Sequence, residues 1–491
     1  MIDASCFLRQ SPSGGADPLV RSRPPGRLLW TLLLAAQLAM AQGGPGVEGN
    51  WMGTLNAGPA KYRLVLKVAK AQDNSLSARF ASLDQGAQEV PCARIEQAGM
   101  TVKFELKPGA NFEGALNADG SEISGNWKQS GATLPLVFKR VDKLPDTTRP
   151  QDPKKPYPYS EEEVSYENKP GGAKLAGTLT LPKGNGPFPA VLLITGSGQQ
   201  DRDEALMGHR PFLVLADHLT RKGIAVLRVD DRGMGGSTGE VLTATTEDFA
   251  GDVLAGVEFL KSRGKQIDIH KIGLIGHSEG GVIAPMVATR SRDVAFIVMM
   301  AGTGVTGEEN SYAQAAAVSR AAGIPADAIA RNQVMQRQVL AIVKQESDPK
   351  AREARLRQLQ DKVSTAMPSA ASALAVQFQM AATPWFRFFA MYDPATALQK
   401  VTCPVLVLNG ELDVQVPASL NLPAIEKALK AGGNRDYQIV KLPKLNHLFQ
   451  TSQTGSVEEY GKIEETIAPI ALETMSRWIL RHTTANTATR P

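Results

Sequence analysis

Cysteine is scarce in this chain, with three in 491 residues, and that excludes a fold stapled by disulfides. Cys6 falls in a segment read below as removed, and Cys92 and Cys403 lie in different expected domains, which argues against a bridge between them. Long apolar runs are also missing. Beyond the N-terminal stretch nothing approaches about 18 consecutive apolar residues, so no span of the mature chain is expected to cross a bilayer. No group of His, Cys, Asp or Glu has metal-ligand spacing, and no phosphate-loop or dinucleotide pattern is present, so neither metal nor cofactor is expected. Charge of one sign is weak: the formal net charge is +5, too small and too evenly spread for a nucleic-acid binder. What is present is globular in type, 43% hydrophobic and 21% charged, over a length that calls for about three units rather than one core.

The first segment, residues 1–41, reads as an export signal. Arg21, Arg23 and Arg27 precede the apolar run Leu28–Ala36, and Ala39-Met40-Ala41 has the small-x-small form that signal peptidase cuts. The run is too short to span a membrane stably, so the expectation is a chain cleaved near Ala41 and exported, periplasmic or secreted, with no stable membrane insertion afterwards. Residues 49–141 then alternate apolar and polar with period two. Tyr62, Leu64, Leu66 and Val68 form one such series, and Val102, Phe104 and Leu106 another. Asn117-Ala118-Asp119-Gly120 supplies a hairpin turn. This predicts a small antiparallel β domain, barrel or sandwich, with Trp51 and Trp127 as core plugs. Residues 142–160 carry Pro145, Pro150, Pro153, Pro156 and Pro158 among charges, the composition of a stiff, extended linker.

From residue 161 to 485 strands and helices alternate. The expected strands are Ala190–Thr195, Ile224–Val229, Ile272–Gly276, Val294–Met300, Val405–Asn409 and Tyr437–Leu442; most are continuous apolar runs, as parallel strands covered on both faces require. Expected helices are Pro211–Arg221, Thr246–Ser262, Gly280–Thr289, Leu420–Ala431 and Glu464–Arg481. Glu163–Tyr166 and Leu175–Leu181 begin the sheet as an antiparallel edge. Residues 304–395 are too many for an ordinary crossover and read as an inserted helical cap.

One motif carries chemistry. Gly276-His277-Ser278-Glu279-Gly280 places G-x-S-x-G between an expected strand and an expected helix. A serine hydroxyl is a poor nucleophile at neutral pH and needs exposure, a base and a pocket for the developing anion. The flanking glycines permit the sharp turn that lifts Ser278 above the strand end, and the following helix aims its N–H groups at the charge. His447, just past the last strand, is the candidate base. Asp413, after the strand Val405–Asn409, is the candidate acid that orients it, with Glu411 as the competitor. The oxyanion hole needs two donors. Glu279 N–H is one, and the loop after the strand at 190–195 supplies the other, from Ser197 or Gly198.

Other features have less active readings. Asp201-Arg202-Asp203 reads as an ion network fixing that loop, and Asp230–Ser237 as a structural turn. His218, His270, His277 and His482 are read as structural or surface residues, while His209 is left open as a possible pocket residue. The aromatics Trp385, Phe386, Phe388, Phe389 and Tyr392 divide between core and a wall for an acyl group.

These residues resemble the α/β-hydrolase superfamily, and most nearly exported bacterial esterases with a serine-aminopeptidase-like or dienelactone-hydrolase-like catalytic domain. The likeness rests on Leu193–Gly198 with Asp201–Asp203, on Asp230–Gly233, on the elbow at Ser278, and on Asp413 and Asn446-His447. It implies an α/β-hydrolase fold over residues 160–485, a Ser278/Asp413/His447 triad, and hydrolysis of a small acyl ester through an acyl-enzyme. Gln199 departs from the Pro of that pattern and leaves the backbone donors intact. A serine aminopeptidase or small-peptide hydrolase is the alternative, and a binding protein on a hydrolase scaffold a third. Acyl chain length and oligomeric state are not legible in the sequence.

Overall fold

The computed structural model describes residues 45–484 except 58–59, 72, 84–88, 107–108, 130–131, 146–148 and 367–370. The leader at 1–41 lies outside the described residues. Among those described, no helix is long and apolar enough to cross a membrane, and Cys92 and Cys403 are not disulfide-bonded. The chain divides into two units, residues 1–147 and 148–491.

The first unit is one antiparallel meander: β1 (Gly49–Ala57), β2 (Ala60–Lys70), β3 (Leu76–Ser82), β4 (Val90–Pro91), β5 (Arg94–Ala98), β6 (Thr101–Leu106), β7 (Ala110–Leu116), β8 (Glu122–Gln129) and β9 (Ala132–Val141). β1 pairs with β9, and the sheet ends at β4 on one side and β5 on the other. Those ends are two residues apart in sequence. Cys92 N–H donates to Ala78 O and Ala93 N–H to Glu105 O, so the chain passes from β3 to β6 and closes the sheet into a barrel. The period-two pattern then has a physical reading: alternate residues enter a closed interior. Trp51, Phe80, Phe104, Phe112, Trp127 and Phe138 fill it. Phe80 stacks on Trp127 with ring centroids 5.2 Å apart, and Trp51 Nε1 donates to Val47 O at 2.8 Å. Both tryptophans are core plugs, and the barrel is packed rather than hollow.

The second unit contains β10 (Ser160–Asn168), β11 (Ala173–Leu181), β12 (Phe188–Ile194), β13 (Ala225–Val229), β14 (Ile267–His277), β15 (Val294–Met300), β16 (Val405–Gly410) and β17 (Tyr437–Leu442), ordered β10-β11-β13-β12-β14-β15-β16-β17. β10 and β11 are antiparallel and the rest run parallel from β13 to β17. The helices are α1 (Pro211–Arg221), α2 (Thr246–Ser262), α3 (Gly280–Ala288), α4 (Gly307–Ala321), α5 (Ala326–Gln345), α6 (Pro349–Ala366), α7 (Ala371–Ala382), α8 (Pro384–Met391), α9 (Ala395–Leu398), α10 (Ala418–Ala431) and α11 (Pro469–Thr484). Leu192, Leu274, Ile297 and Val407 pack on α2, α3, α9 and α10, while Val191, Ile275, Val298 and Leu408 pack on α1 and α11. Burial on both faces explains the unbroken apolar runs. This is the α/β-hydrolase arrangement implied by the resemblance. The chain leaves β12 for β13 on one side and returns to β14 on the other, so a crevice opens at the carboxyl ends of β12 and β14.

Helices α4–α8 form the insertion between β15 and β16, with a small core of Val343, Leu356, Phe378 and Ala381. From residue 149 the proline-rich stretch is fastened to the second unit. Arg149 donates to the carbonyls of Met207, Gly461 and Ile463, Gln151 Oε1 accepts Ile467 N–H at 3.0 Å, and Asp152 pairs with Arg210 at 2.6 Å. The last helix also starts later than its apolar spacing suggested. Residues 464–468 form an irregular, bent stretch whose Thr466 and Ile467 N–H groups donate to Gln151, and Pro469 takes the first helical turn, where a missing N–H costs nothing.

Because the barrel interior is filled by interlocked rings, Phe138→Ala is expected to cost about 3–5 kcal/mol. Urea unfolding followed through Trp51 and Trp127 fluorescence measures this; a loss below 1 kcal/mol contradicts the packed-barrel account.

Candidate active site

The elbow is made by two residues, Ser278 and Glu279, between the end of β14 and the start of α3. Ser278 has φ +54°, a left-handed conformation that costs a residue with a side chain on the order of 1–3 kcal/mol. Its N–H donates to Met300 O at 2.8 Å and its carbonyl accepts Gly281 N–H at 2.9 Å. Two close approaches enforce the turn. A Cβ on Gly276 would sit 1.9 Å from Gly280 O, and one on Gly280 would sit 2.2 Å from Ile194 O. Only glycine lets β14, α3 and β12 meet this tightly, and the result is a half-buried hydroxyl above the strand end.

Asp413 lies in the loop after β16 with its side chain fully buried. Its Oδ1 accepts the N–H groups of Gln415 and Val416, both at 2.8 Å. Its Oδ2 accepts Asn409 Nδ2 at 3.2 Å and faces His447 Nδ1 at 2.9 Å. Four donors are thus aimed at its two oxygens. Glu411 is exposed, and its Oε2 accepts Lys444 N–H at 3.2 Å, so it does not compete for the imidazole.

The loop carrying His447 is held by its own neighbours. Asn446 Oδ1 accepts the N–H groups of Leu448 and Gln450, each at 3.0 Å, while its Nδ2 donates to Gln450 Oε1 at 2.9 Å. Leu412 N–H donates to Leu445 O at 2.9 Å, seating this loop on the end of β16. No hydrogen bond joins Ser278 Oγ to His447 Nε2. The elbow and the base loop meet instead through His277, whose ring lies 4.8 Å from that of His447 and whose Nε2 is 3.0 Å from His447 O.

The oxyanion loop follows β12. Gly196 N–H donates to Glu204 Oε1 at 2.8 Å and Gln200 N–H to Asp231 Oδ2 at 2.9 Å. Between these two tethered amides stand exposed Ser197 and Gly198, the latter with φ +99°. A Cβ on Gly196 would come 3.2 Å from Ser278 Cβ, so this backbone passes directly beside the hydroxyl. Glu279 caps α3, and its N–H is among those a helix leaves unpaired at its start.

Three acidic side chains missed by the sequence reading surround this loop. Glu279 is buried, with Oε1 accepting Thr246 Oγ1 at 2.7 Å and Trp385 Nε1 at 2.9 Å. Its Oε2 is buried without a partner. Burial pushes this carboxyl above the usual range, against the hydrogen bonds from Thr246, Trp385 and Ser197. Asp231 is pushed up to about 8, also by burial. Glu204 has φ +51° and is buried against His277, Nδ1 to Oε1 at 2.8 Å. The available signals were the His and Glu flanking Ser278 and the acid run ending at Glu204.

The structural readings hold elsewhere. Arg202 forks onto Asp230 at 3.1 and 2.9 Å, Arg228 pairs with Asp203, and Arg232 forks onto Asp252 at 2.7 and 2.8 Å. His209 does not line the site: its Nδ1 meets Thr466 Oγ1 and its Nε2 Tyr460 O, both at 2.9 Å. Burial pushes this imidazole down to about 4, so it is neutral and structural. Of the cap aromatics, Phe388 and Tyr392 pack on the sheet core and Phe386 on the cap's own core. Trp385 reaches the elbow through Glu279.

If Asp413 acts as the acid of the expected triad and orients His447, Asp413→Asn is expected to lower kcat on the order of 10⁴-fold with the far-UV circular dichroism unchanged. Turnover kinetics on a short acyl ester measure it, and a drop under tenfold contradicts the geometry.

Comparison with known proteins supplies a family. The model of the X-Pro dipeptidyl-peptidase (S15) family matches residues 171–427, just over half the chain. Esterase EstD of Thermotoga maritima is 30% identical over 227 residues, covering 45% of this chain and 48% of EstD. Esterase FrsA of Escherichia fergusonii is 38% identical over 74 residues, 15% of this chain and 16% of FrsA. The chain thus spans about half of one curated relative and less of the other. A solved esterase of Pyrococcus furiosus, Pf2001, aligns over 69% of this chain and 97% of its own at 14% identity and TM-score 0.42.

Proposed function

The chain belongs to the X-Pro dipeptidyl-peptidase (S15) family, and on that premise we propose that it is a serine hydrolase acting on small carboxylic esters. In this reading Ser278 Oγ attacks the ester carbonyl while His447 Nε2 takes its proton. Asp413 holds the Nδ1–H side of the ring and stabilises the imidazolium that forms. The carbonyl oxygen gains negative charge beside Glu279 N–H and the N–H groups of Ser197 and Gly198. His447 returns the proton to the departing alkoxide, leaving an acyl group on Ser278. Water then repeats the sequence, with His447 again as base, and releases the carboxylic acid.

The observation that carries this reading is the 2.9 Å contact between His447 Nδ1 and an Asp413 carboxylate held in place by three other donors. Ester substrates are favoured by the names of the two curated relatives, both esterases. Trp385, fastened beside the nucleophile, is proposed as a wall for the acyl group. The family description favours a second reading, hydrolysis of short peptides.

Ser278→Ala is expected to lower kcat on the order of 10⁶-fold and to abolish fluorophosphonate labelling, mapped by peptide mass. Wild-type turnover should be faster on short p-nitrophenyl acyl esters than on aminoacyl or X-Pro anilides; the reverse order installs the peptidase reading. Full activity in Ser278→Ala removes both.

We further propose export from the cytoplasm with cleavage near Ala41, supported by the arginine-flanked apolar run and the Ala39-Met40-Ala41 site. N-terminal sequencing of the exported protein should begin at Gln42; an intact leader on the mature protein contradicts it.

A further inference from the structure

Beside the proposed triad lies a second histidine–carboxylate pair that the mechanism above does not use. Glu204 Oε1 lies 2.8 Å from His277 Nδ1 and accepts Gly196 N–H at 2.8 Å. His277 Nε2 lies 3.0 Å from the carbonyl oxygen of His447. Glu204 is 5% exposed, His277 6% and His447 4%, so water does not compete for these bonds. Phe449, from the same loop as His447, meets the His277 ring edge to face at 6.4 Å. One pair therefore touches the oxyanion loop, the elbow strand and the loop of the base.

We propose that Glu204 and His277 form a buried carboxylate–imidazolium pair that positions His447 and the oxyanion loop and opposes a second positive charge on the His447 ring. The argument begins with proton counting. A neutral imidazole has one N–H, yet both nitrogens of His277 face oxygen acceptors, a carboxylate and a backbone carbonyl. A ring protonated on both nitrogens satisfies both contacts, and Glu204 balances its charge. Burial works against that cation, but the Glu204 charge and hydrogen bond outweigh it, so His277 keeps its proton above the ordinary histidine range. A positive ring 4.8 Å from His447 opposes a second positive charge there.

The other groups facing this pair are Asp413, beside His447 and contributing to the field at His277, and Tyr460, which meets the His447 backbone and is pushed up by burial. Asp231 and Glu279 lie beyond the oxyanion loop and are both raised by burial. Glu204 is the carboxylate in hydrogen-bond contact with His277 Nδ1, so it is the counter-ion of the proposed pair. The strained left-handed backbone at Glu204 accords with a residue held in place by the bonds its side chain makes.

This inference rests on His447 being the base. Its test is the pH profile of kcat/KM on a short p-nitrophenyl ester for wild type, His277→Gln and the double variant Glu204→Gln with His277→Gln. A glutamine amide at 277 can still donate to His447 O but carries no charge. The acid limb is expected to move to higher pH by on the order of one unit in His277→Gln, where Glu204 is left unbalanced. It should move in the same direction, by less, in the double variant. A second measurement needs no variant to fold: ¹⁵N NMR of the wild-type histidine rings at pH 8 should show His277 protonated on both nitrogens. A single protonated nitrogen there, or an acid limb unmoved in both variants, overturns the proposal. A wild type that takes no fluorophosphonate label at Ser278 sinks the triad reading itself; a labelled wild type with an unmoved limb sinks only this one.

Discussion

The second unit depends on one steric constraint, the passage of three backbones within contact distance at the end of β14. Gly276 and Gly280 have no Cβ, so strand β14, helix α3 and strand β12 close to separations that an alanine would turn into overlap with carbonyl oxygens. That closeness forces Ser278 into a left-handed conformation and points the start of α3 at the space above the sheet. It also brings Gly196 beside the hydroxyl. The proposed nucleophile and both proposed sources of oxyanion donors are thus consequences of a single crowded turn.

Around that turn the protein treats four buried carboxyl groups differently, and environment alone separates them. Asp413 receives four hydrogen bonds. Glu204 has a histidine partner. Asp231 has two donors but little solvent, and Glu279 has two donors on one oxygen and none on the other, so burial raises both. The same functional group meets a different set of partners in each place, and the partners and the burial set its behaviour. Glu279 also shows how the cap enters the site: a single indole N–H from α8 reaches the residue next to the proposed nucleophile.

Much of the fold was legible because its strands are covered on both faces. Strands β15 and β17 coincide with their expected bounds, and β12, β13 and β16 differ by one or two residues. Such runs must be continuously apolar whatever surrounds them. Barrel closure was not legible. It depends on one strand changing partners at Cys92-Ala93, which leaves no mark in a period-two pattern. The fastening of the stretch after residue 149 is equally absent from the sequence pattern, because proline and charge mark a stiff, extended linker and not its contacts. Its attachment comes from side chains finding carbonyls more than 300 residues away in sequence. His277 and Glu204 were passed over for a similar reason: a lone histidine or glutamate has no pattern until its partner is known.

By itself, the sequence determined the alternation of elements, the elbow at Ser278 and the chain order of serine, acid and histidine, because glycine placement and apolar periodicity are local properties. Tertiary structure decided which acid faces His447, how His277 is bonded and which carboxyl groups lose their solvent. Those outcomes depend on distances between segments far apart in the chain, and burial and charge act through distance.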